Sequence, residues 1–131
     1  MYDGDRCPCL SGDPYGVCCG PLHRGDRTAA TAESLMRSRY SAFAVGDAGY
    51  LLATWHPRTR PASLELDPGQ QWRRLDVVAT RAGGPFDDAG EVEFVAHYRH
   101  AATGERGRLH ESSRFVRQGG LWLYVDGDVE V

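Results

Sequence analysis

The apolar positions after residue 30 first recur at helical spacing. Met36, Tyr40 and Phe43 are four and three residues apart, which places them on one face of a helix. Thr31 suits the N-cap of this helix because its hydroxyl can accept from a free backbone amide. Gly46 suits its end, where glycine adopts the left-handed conformation without strain. The pattern predicts a helix between these two residues.

A second, shorter helix is predicted from the cap residue Asp47 to Trp55, and a proline-rich loop follows it. The apolar positions then alternate with polar ones in about four runs, which glycine-containing turns separate. The last run is expected to place Trp122, Tyr124 and Asp126 on one face of a strand. Helices followed by an antiparallel meander predict an α+β fold in which a curved sheet wraps around the helices and leaves a cavity between the layers.

The first 27 residues differ in composition from the rest of the chain. They are rich in Gly, Pro, Asp and Cys and poor in aliphatic residues, so they cannot bury a core of their own. All four cysteines of the chain lie in this segment. We therefore predict two parts, a small metal-binding module over residues 1–27 and the α+β domain over residues 28–131.

The spacing of Cys7, Cys9, Cys18 and Cys19 favours a metal site. A Cys-x-Cys pair presents two sulfurs from one tight turn, and the intervening residues can turn the chain back to bring in the second pair. Zinc takes four thiolates in a tetrahedron, and its binding would supply the order that the composition does not. We predict one structural Zn²⁺. Two alternatives stay open, namely disulfides or free thiols, and a zinc site in which His23 replaces Cys19.

The composition indicates a folded protein and excludes several classes. Hydrophobic residues make up 41% and charged residues 25% of the chain. The net charge of -3 argues against a broad basic surface for duplex nucleic acid. No stretch approaches the roughly 20 apolar residues of a membrane span, and the polar N-terminus lacks the apolar core of a secretion signal. The expected location is the cytoplasm, where thiols stay reduced.

The α+β domain carries polar and aromatic side chains inside otherwise apolar elements. His56 and His110, with Glu111 beside the latter, are candidates for acid–base catalysis, and Arg39 and Arg114 are candidates for holding an anion. The alternative is that these groups form ion pairs and hydrogen bonds joining helix to sheet. The residues predicted to line a ligand pocket are Arg39, Tyr40, Trp55, His56, His97, His110, Arg114, Trp122 and Tyr124.

The cysteine pattern and four downstream segments resemble a known family. Residues 7–21, with Cys-Pro-Cys, Ser-Gly and Cys-Cys-Gly-Pro, resemble the SEC-C zinc motif first described in the bacterial translocation ATPase SecA. Residues 32–43, 54–61, 110–116 and 122–127 resemble the YchJ family of bacterial proteins (UPF0225), and the resemblance covers nearly the whole chain. It implies an NTF2-like (cystatin-like) fold with a curved antiparallel sheet packed on N-terminal helices. It implies no particular activity.

The resemblance also implies roles within the N-terminal segment. The zinc ligands of the motif carry over onto Cys7, Cys9, Cys18 and Cys19. The motif usually has glycine before its Ser-Gly pair, where this chain has Leu10. A glycine at that position allows a positive φ, which leucine resists.

Because NTF2-like domains often dimerise through the outer sheet face, a homodimer is also expected.

Three functions are compatible with these features. We favour a binding or adaptor protein, in which the zinc segment contacts a protein partner through Val17, Leu22 and Arg24 and the NTF2-like domain binds a small ligand or a partner. An enzyme of the isomerase or dehydratase type, using the pocket histidines, arginines and tyrosines, is the first alternative. Binding of single-stranded nucleic acid is the second, and the acidic net charge argues against it.

Overall fold

Residues 1–130 are described by the structure, a computed structural model in which three helices precede a four-stranded sheet. A 3-10 turn at Tyr15–Val17 leads into the helices, which are α1 (Cys19–His23), α2 (Ala32–Val45) and α3 (Ala48–Ala53). The strands are β1 (Gln70–Ala82), β2 (Ala89–His100), β3 (Arg106–Gln118) and β4 (Leu121–Glu130). Within this part of the chain, no helix has both the length and the apolar character needed to cross a membrane.

Helix α2 begins and ends at the residues that the sequence predicts. The Thr31 hydroxyl accepts a hydrogen bond of 3.0 Å from the Ser34 amide. Gly46 adopts the left-handed conformation, with φ of 80°, and its amide donates to the carbonyl of Ala42. The predicted helix is therefore confirmed at both ends.

Helix α3 is capped by Asp47, as predicted, but it ends before Trp55. The Asp47 carboxylate accepts from the Tyr50 amide at 3.0 Å. Beyond Ala53 the backbone pairs with β4, because the Tyr124 amide donates to the Thr54 carbonyl at 2.8 Å and the Tyr124 carbonyl accepts from the His56 amide at 2.7 Å. This pairing with a distant strand takes Trp55 out of the helix.

The four strands form one antiparallel sheet in sequence order, β1-β2-β3-β4, which confirms the predicted α+β fold. The pairing of β3 with β4 shifts by one residue between Arg114 and Phe115. Phe115 lies opposite Tyr124, whereas Arg114 lies opposite Asp126. The extra residue in β4 turns Asp126 to the other face, so the expectation that Trp122, Tyr124 and Asp126 share one face is wrong for Asp126.

The core lies between α2 and the inner face of the sheet. Its largest contributors are Leu35, Met36 and Tyr40 from α2 and Val92, Phe94, Phe115 and Trp122 from the sheet. Cys7, Cys9 and Cys19 belong to the same buried cluster, so the N-terminal segment packs onto the domain. The division of the chain into residues 1–27 and 28–131 stays a prediction.

Candidate functional site

The four sulfur atoms of the cysteine knuckle, residues 7–19, lie close together. All four Sγ atoms are within 4.8 Å of one another. Cys9 Sγ lies 3.6 Å from Cys18 Sγ, which lies 3.9 Å from Cys19 Sγ. Cys7 and Cys9 are fully buried, Cys19 is nearly so, and Cys18 is partly exposed. The structure therefore brings together the four residues predicted as metal ligands.

These separations suit a tetrahedral metal site. With zinc–sulfur bonds of about 2.3 Å, a tetrahedron places its sulfurs about 3.8 Å apart. A disulfide needs about 2.05 Å, and the four cysteines are free thiols in the structure. Burial raises the pKa of the Cys18 thiol to about 11, so a cation is needed to hold this sulfur as a thiolate at neutral pH. The cluster is thus able to bind a metal ion.

Tight turns of the backbone bring the two cysteine pairs together. The Cys7 amide donates to the Asp13 carbonyl at 3.1 Å, which returns the chain toward its start. The Leu10 amide donates to the Cys7 carbonyl at 3.1 Å, and Leu10 adopts a φ of 61°. Leucine therefore occupies the left-handed conformation for which a glycine would be better suited. The knuckle keeps its turn at the cost of local backbone strain.

Contacts with α2 hold the knuckle and α1 against the domain. Cys7 Sγ lies 3.6 Å from Ser41 Oγ, and Arg37 Nη1 donates to the Cys9 carbonyl at 2.9 Å. His23 Nε2 donates to the Ser38 carbonyl at 2.8 Å, while Nδ1 accepts from the Tyr15 hydroxyl at 2.6 Å. Because both ring nitrogens of His23 are engaged, the alternative in which this residue replaces Cys19 as a ligand is wrong.

The outer surface of the knuckle differs from the predicted contact surface. Val17 is 60% exposed, as that surface requires, but Leu22 is buried. Arg24 is engaged in ion pairs with Asp3 at 3.1 Å and Asp26 at 3.3 Å. Of the three predicted contact residues, Val17 alone presents a free apolar side chain.

A cavity of about 250 Å³ lies between α2 and the concave face of the sheet. Most of its lining is aromatic, as with Phe43 and Trp72. The polar residues in its lining are Arg39, Tyr40, Trp55, Glu111, Ser113 and Tyr124. The cavity is smaller than the roughly 300–1,000 Å³ typical of sites for drug-sized ligands, so its size suits a single-ring molecule.

Five of the residues predicted to line the pocket lie elsewhere. Trp122 is buried beside the cavity and donates to the Ala30 carbonyl at 3.2 Å. The other four are engaged outside the cavity: His56 with Gln118 at 3.1 Å, His97 with Asp76 at 3.0 Å, His110 with Glu93 at 2.6 Å, and Arg114 with Asp126 at 2.5 Å and Asp128 at 2.8 Å.

The alternation of strand residues explains this correction. Glu111 and Ser113 of β3 line the cavity. Because the side chains of a strand alternate between its two faces, the neighbouring residues His110 and Arg114 lie on the opposite face. His56 follows the pairing of the 54–56 segment with β4 and points toward the end of β3. The acid–base candidates His56 and His110 therefore do not meet in the cavity, whereas the candidate Glu111 does line it.

Arg39 is a buried cation in the cavity lining, with 6% of its surface exposed. Its Nη1 donates to the Leu51 carbonyl and to Thr54 Oγ1, both at 2.7 Å. The guanidinium carbon lies 4.6 Å from the ring centroid of Tyr124 and 5.1 Å from that of Trp55. Burial lowers the pKa of Arg39 to about 10, so the guanidinium is still charged at neutral pH.

Two further polar groups in the lining are buried without a hydrogen-bond partner among residues 1–130, Tyr40 Oη and Trp55 Nε1. The carboxylate of Glu111 accepts from the Ser113 hydroxyl. Burial raises the pKa of Tyr40 to about 12, which keeps its hydroxyl protonated. The cavity therefore combines a cation, a carboxylate and two free polar groups inside an aromatic lining.

Several site residues were not identified from the sequence. Ser38 and Ser41 are fully buried on α2, where Ser41 contacts Cys7 of the knuckle and the Ser38 carbonyl accepts from His23 of α1. The sequence signal for both is a small polar residue at core spacing in a helix. Trp72 and Ser113 line the cavity, and strand alternation could have placed them there. Thr54, which accepts from Arg39, has no such signal because its position depends on the pairing with β4.

Comparison with known proteins assigns both parts of the chain. Residues 31–127 match the family model for the YchJ middle NTF2-like domain, and residues 5–21 match that for the SEC-C motif. A UPF0225 protein of Streptomyces coelicolor is 53% identical over 122 residues, which cover 93% of this chain and 94% of that protein.

Two solved structures of SEC-C motif containing proteins share the fold. The solution structure from Rhodopseudomonas palustris has a TM-score of 0.81 and 34% identity, and the match covers 96% of this chain and 99% of that one. The crystal structure from Psychrobacter arcticus has a TM-score of 0.78 and 27% identity, and the match covers 99% of this chain and 85% of that one. The cysteine cluster, the fold and these matches together show that the chain belongs to the UPF0225 family, in which a SEC-C motif precedes a YchJ-type NTF2-like domain.

Proposed function

We propose that this protein binds a small molecule in the cavity beneath α2, and that its cysteine knuckle holds one structural zinc ion. The cavity carries the proposal, because an aromatic lining with a few buried polar groups is the common form of a small-molecule site. Native interiors are otherwise packed with few voids larger than a water molecule. We therefore take the cavity of about 250 Å³ between helix and sheet as the candidate ligand site.

The zinc ion has a structural role in this proposal. Four thiolates complete a tetrahedron, which leaves no open position for a water or a substrate. The sulfurs are mostly buried, the knuckle is bonded to α2 through Arg37, and α1 is bonded to the same helix through His23. Zinc binding then contributes to folding, and it fixes the N-terminal segment on the helix that lines the cavity.

Ligand binding is favoured over catalysis by the placement of the titratable groups. The histidines offered for acid–base work, His56 and His110, are engaged outside the cavity. Within the described lining, Glu111 is the one carboxyl group, and it is held by Ser113. The adaptor role, the homodimer and the protein partner stay predictions, with Val17 as the exposed residue in their favour.

The test is a calorimetric titration of the zinc-loaded full chain with phenol, a neutral single-ring probe. We expect binding to the wild type and none to Ala96→Leu, because Ala96 lines the cavity and a larger side chain would fill it. Ala79→Leu is the matched control, since Ala79 is exposed on the outer face and should leave binding unchanged. Equal binding to both variants would contradict the proposal.

A further inference from the structure

Building on the proposed function, we infer that the ligand is a small monocarboxylate with an apolar, ring-sized body. The structure assigns its carboxylate to Arg39 and Trp55, which adjoin each other in the cavity lining. The hydrogen-bonding groups of this lining that have no partner in the described chain determine the class of ligand.

Arg39 has donors that the protein does not use. A guanidinium carries five N–H groups, and the two acceptors of Nη1 account for two of them. Among residues 1–130, no carboxylate lies within ion-pair distance of Arg39, and its Nε and Nη2 have no hydrogen-bond acceptor. Glu111, in the same lining, acts on this charge only from beyond ion-pair distance. Charged residues are rarely buried as deeply as Arg39 without a direct partner. A carboxylate is the natural partner, because it can accept two parallel N–H bonds from a guanidinium.

Trp55 adds a donor at the same place. Its ring packs 5.1 Å from the Arg39 guanidinium carbon, and its Nε1 is buried without an acceptor in the described chain. An indole N–H can only donate, so the group that completes it must be an acceptor. Orphaned buried donors are rare in native structures, and one beside an unpaired cation points to an anionic acceptor that comes with a ligand.

Tyr40 supplies a second polar point in the cavity. Its ring packs edge-on against Trp72 at 6.1 Å, whereas Arg39 packs against Trp55 and Tyr124. The Tyr40 hydroxyl, which is buried without a partner in the described chain, therefore lies apart from the Arg39 and Trp55 pair. It is not part of the carboxylate site.

The remaining lining determines the rest of the ligand. The described lining holds one cation, Arg39, and one carboxyl group, Glu111, so it suits a ligand with no more than one negative charge and disfavours a dianion such as phosphate. A bare inorganic anion would leave the aromatic side chains around Arg39 in contact with water, whereas an apolar ring packs on them. Glu111 lies on the sheet side and is held by Ser113, so its charge opposes the ligand carboxylate without occupying its place.

The test compares single-ring acids with neutral analogues of the same size on the zinc-loaded full chain. Calorimetric titration with benzoate and phenylacetate should give affinities about tenfold or more above that for benzamide, because the acids make charge-assisted hydrogen bonds. Arg39→Met should reduce benzoate to the affinity of benzamide, with zinc content and circular dichroism confirming the fold. Arg114→Met is the matched control, since that arginine lies on the outer face, and it should leave benzoate binding unchanged.

A second variant decides the matter if Arg39→Met does not fold. Glu111→Gln removes the opposing charge and should tighten benzoate about threefold or more while leaving benzamide unchanged. If benzamide binds the wild type as tightly as benzoate, or if Glu111→Gln does not tighten benzoate, the carboxylate inference is overturned while the proposed function stands. If neither phenol nor any of the other probes binds, the proposed function itself fails.

Discussion

Tyr40 on α2 and Tyr50 on α3 differ in the hydrogen bonding of their hydroxyl groups. The Tyr50 hydroxyl is bonded to Ser38 Oγ at 2.7 Å, whereas the Tyr40 hydroxyl is buried without a partner in the described chain. An unsatisfied buried polar group costs about 1–3 kcal/mol, and a made hydrogen bond contributes about 1 kcal/mol. The two hydroxyls should therefore affect stability in opposite directions.

Tyr40→Phe should raise the free energy of unfolding of the ligand-free protein by about 1 kcal/mol, because it removes the orphaned hydroxyl. Tyr50→Phe should lower it by a similar amount, because it breaks the bond to Ser38. Urea unfolding of both variants measures the difference. A loss of stability in Tyr40→Phe as large as that in Tyr50→Phe would show that its hydroxyl has a partner after all.

Leu10 holds a strained backbone conformation in the knuckle. Its φ of 61° costs a leucine about 1 kcal/mol relative to a glycine. Leu10→Gly should therefore raise the free energy of unfolding of the zinc-loaded protein by about 1 kcal/mol. Leu10→Ala keeps the β-carbon, so its free energy of unfolding should not rise above that of the wild type. If urea unfolding gives the two variants equal stability, the backbone strain at Leu10 is refuted.

At the scale of elements, His23 joins α1 to α2. His23→Phe keeps a ring that can pack on Tyr50, where the centroids are now 4.6 Å apart, but it removes the bonds to Tyr15 and Ser38. We expect a loss of about 1–3 kcal/mol in the free energy of unfolding, because two part-buried hydrogen bonds, to the Tyr15 hydroxyl and to the Ser38 carbonyl, are lost.

The His23→Phe variant should also retain its zinc, because His23 is not a ligand. His97→Phe is the control, since its half-exposed partner Asp76 keeps an ion pair with Arg74, and it should change stability by no more than about 0.5 kcal/mol. A loss of zinc from His23→Phe would return this residue to the ligand set.

The elements themselves were predictable because their signals are local. Thr31 and Asp47 cap α2 and α3, and Gly46 ends α2, through contacts made within four residues. The antiparallel order of the strands followed from alternation and from glycine turns. The four cysteines were found for the same reason, since their spacing alone indicates a shared site.

The cavity was harder to predict because strand pairing and register decide which residues face it. Four of its predicted members, Arg39, Tyr40, Trp55 and Tyr124, do line it. The error over Asp126 comes from an extra residue in β4, which depends on pairing with β3 and leaves no mark in the local sequence. The histidines were assigned by residue type, and alternation on β3 turns His110 away from the cavity.

At the scale of the whole molecule, the knuckle and the cavity share one helix. Arg37 and Ser41 of α2 contact the knuckle, while Met36, Arg39 and Tyr40 of the same helix line the cavity. The buried cysteines lie in the same cluster as the sheet residues of the core. A metal that orders the knuckle should therefore stabilise the whole domain, since its binding energy is realised only in the folded state.

The central claim is that four thiolates and one zinc ion fix the N-terminal segment on α2. Elemental analysis of the full chain, purified without added metal, tests it most directly, together with Cys9→Ser and with Ser11→Ala, whose hydroxyl contacts Cys18 Sγ at 3.1 Å without being a predicted ligand. We expect one zinc per chain in the wild type and in Ser11→Ala, and none in Cys9→Ser. Zinc-free wild-type protein with its cysteines in disulfides, or full zinc content in Cys9→Ser, would contradict the account.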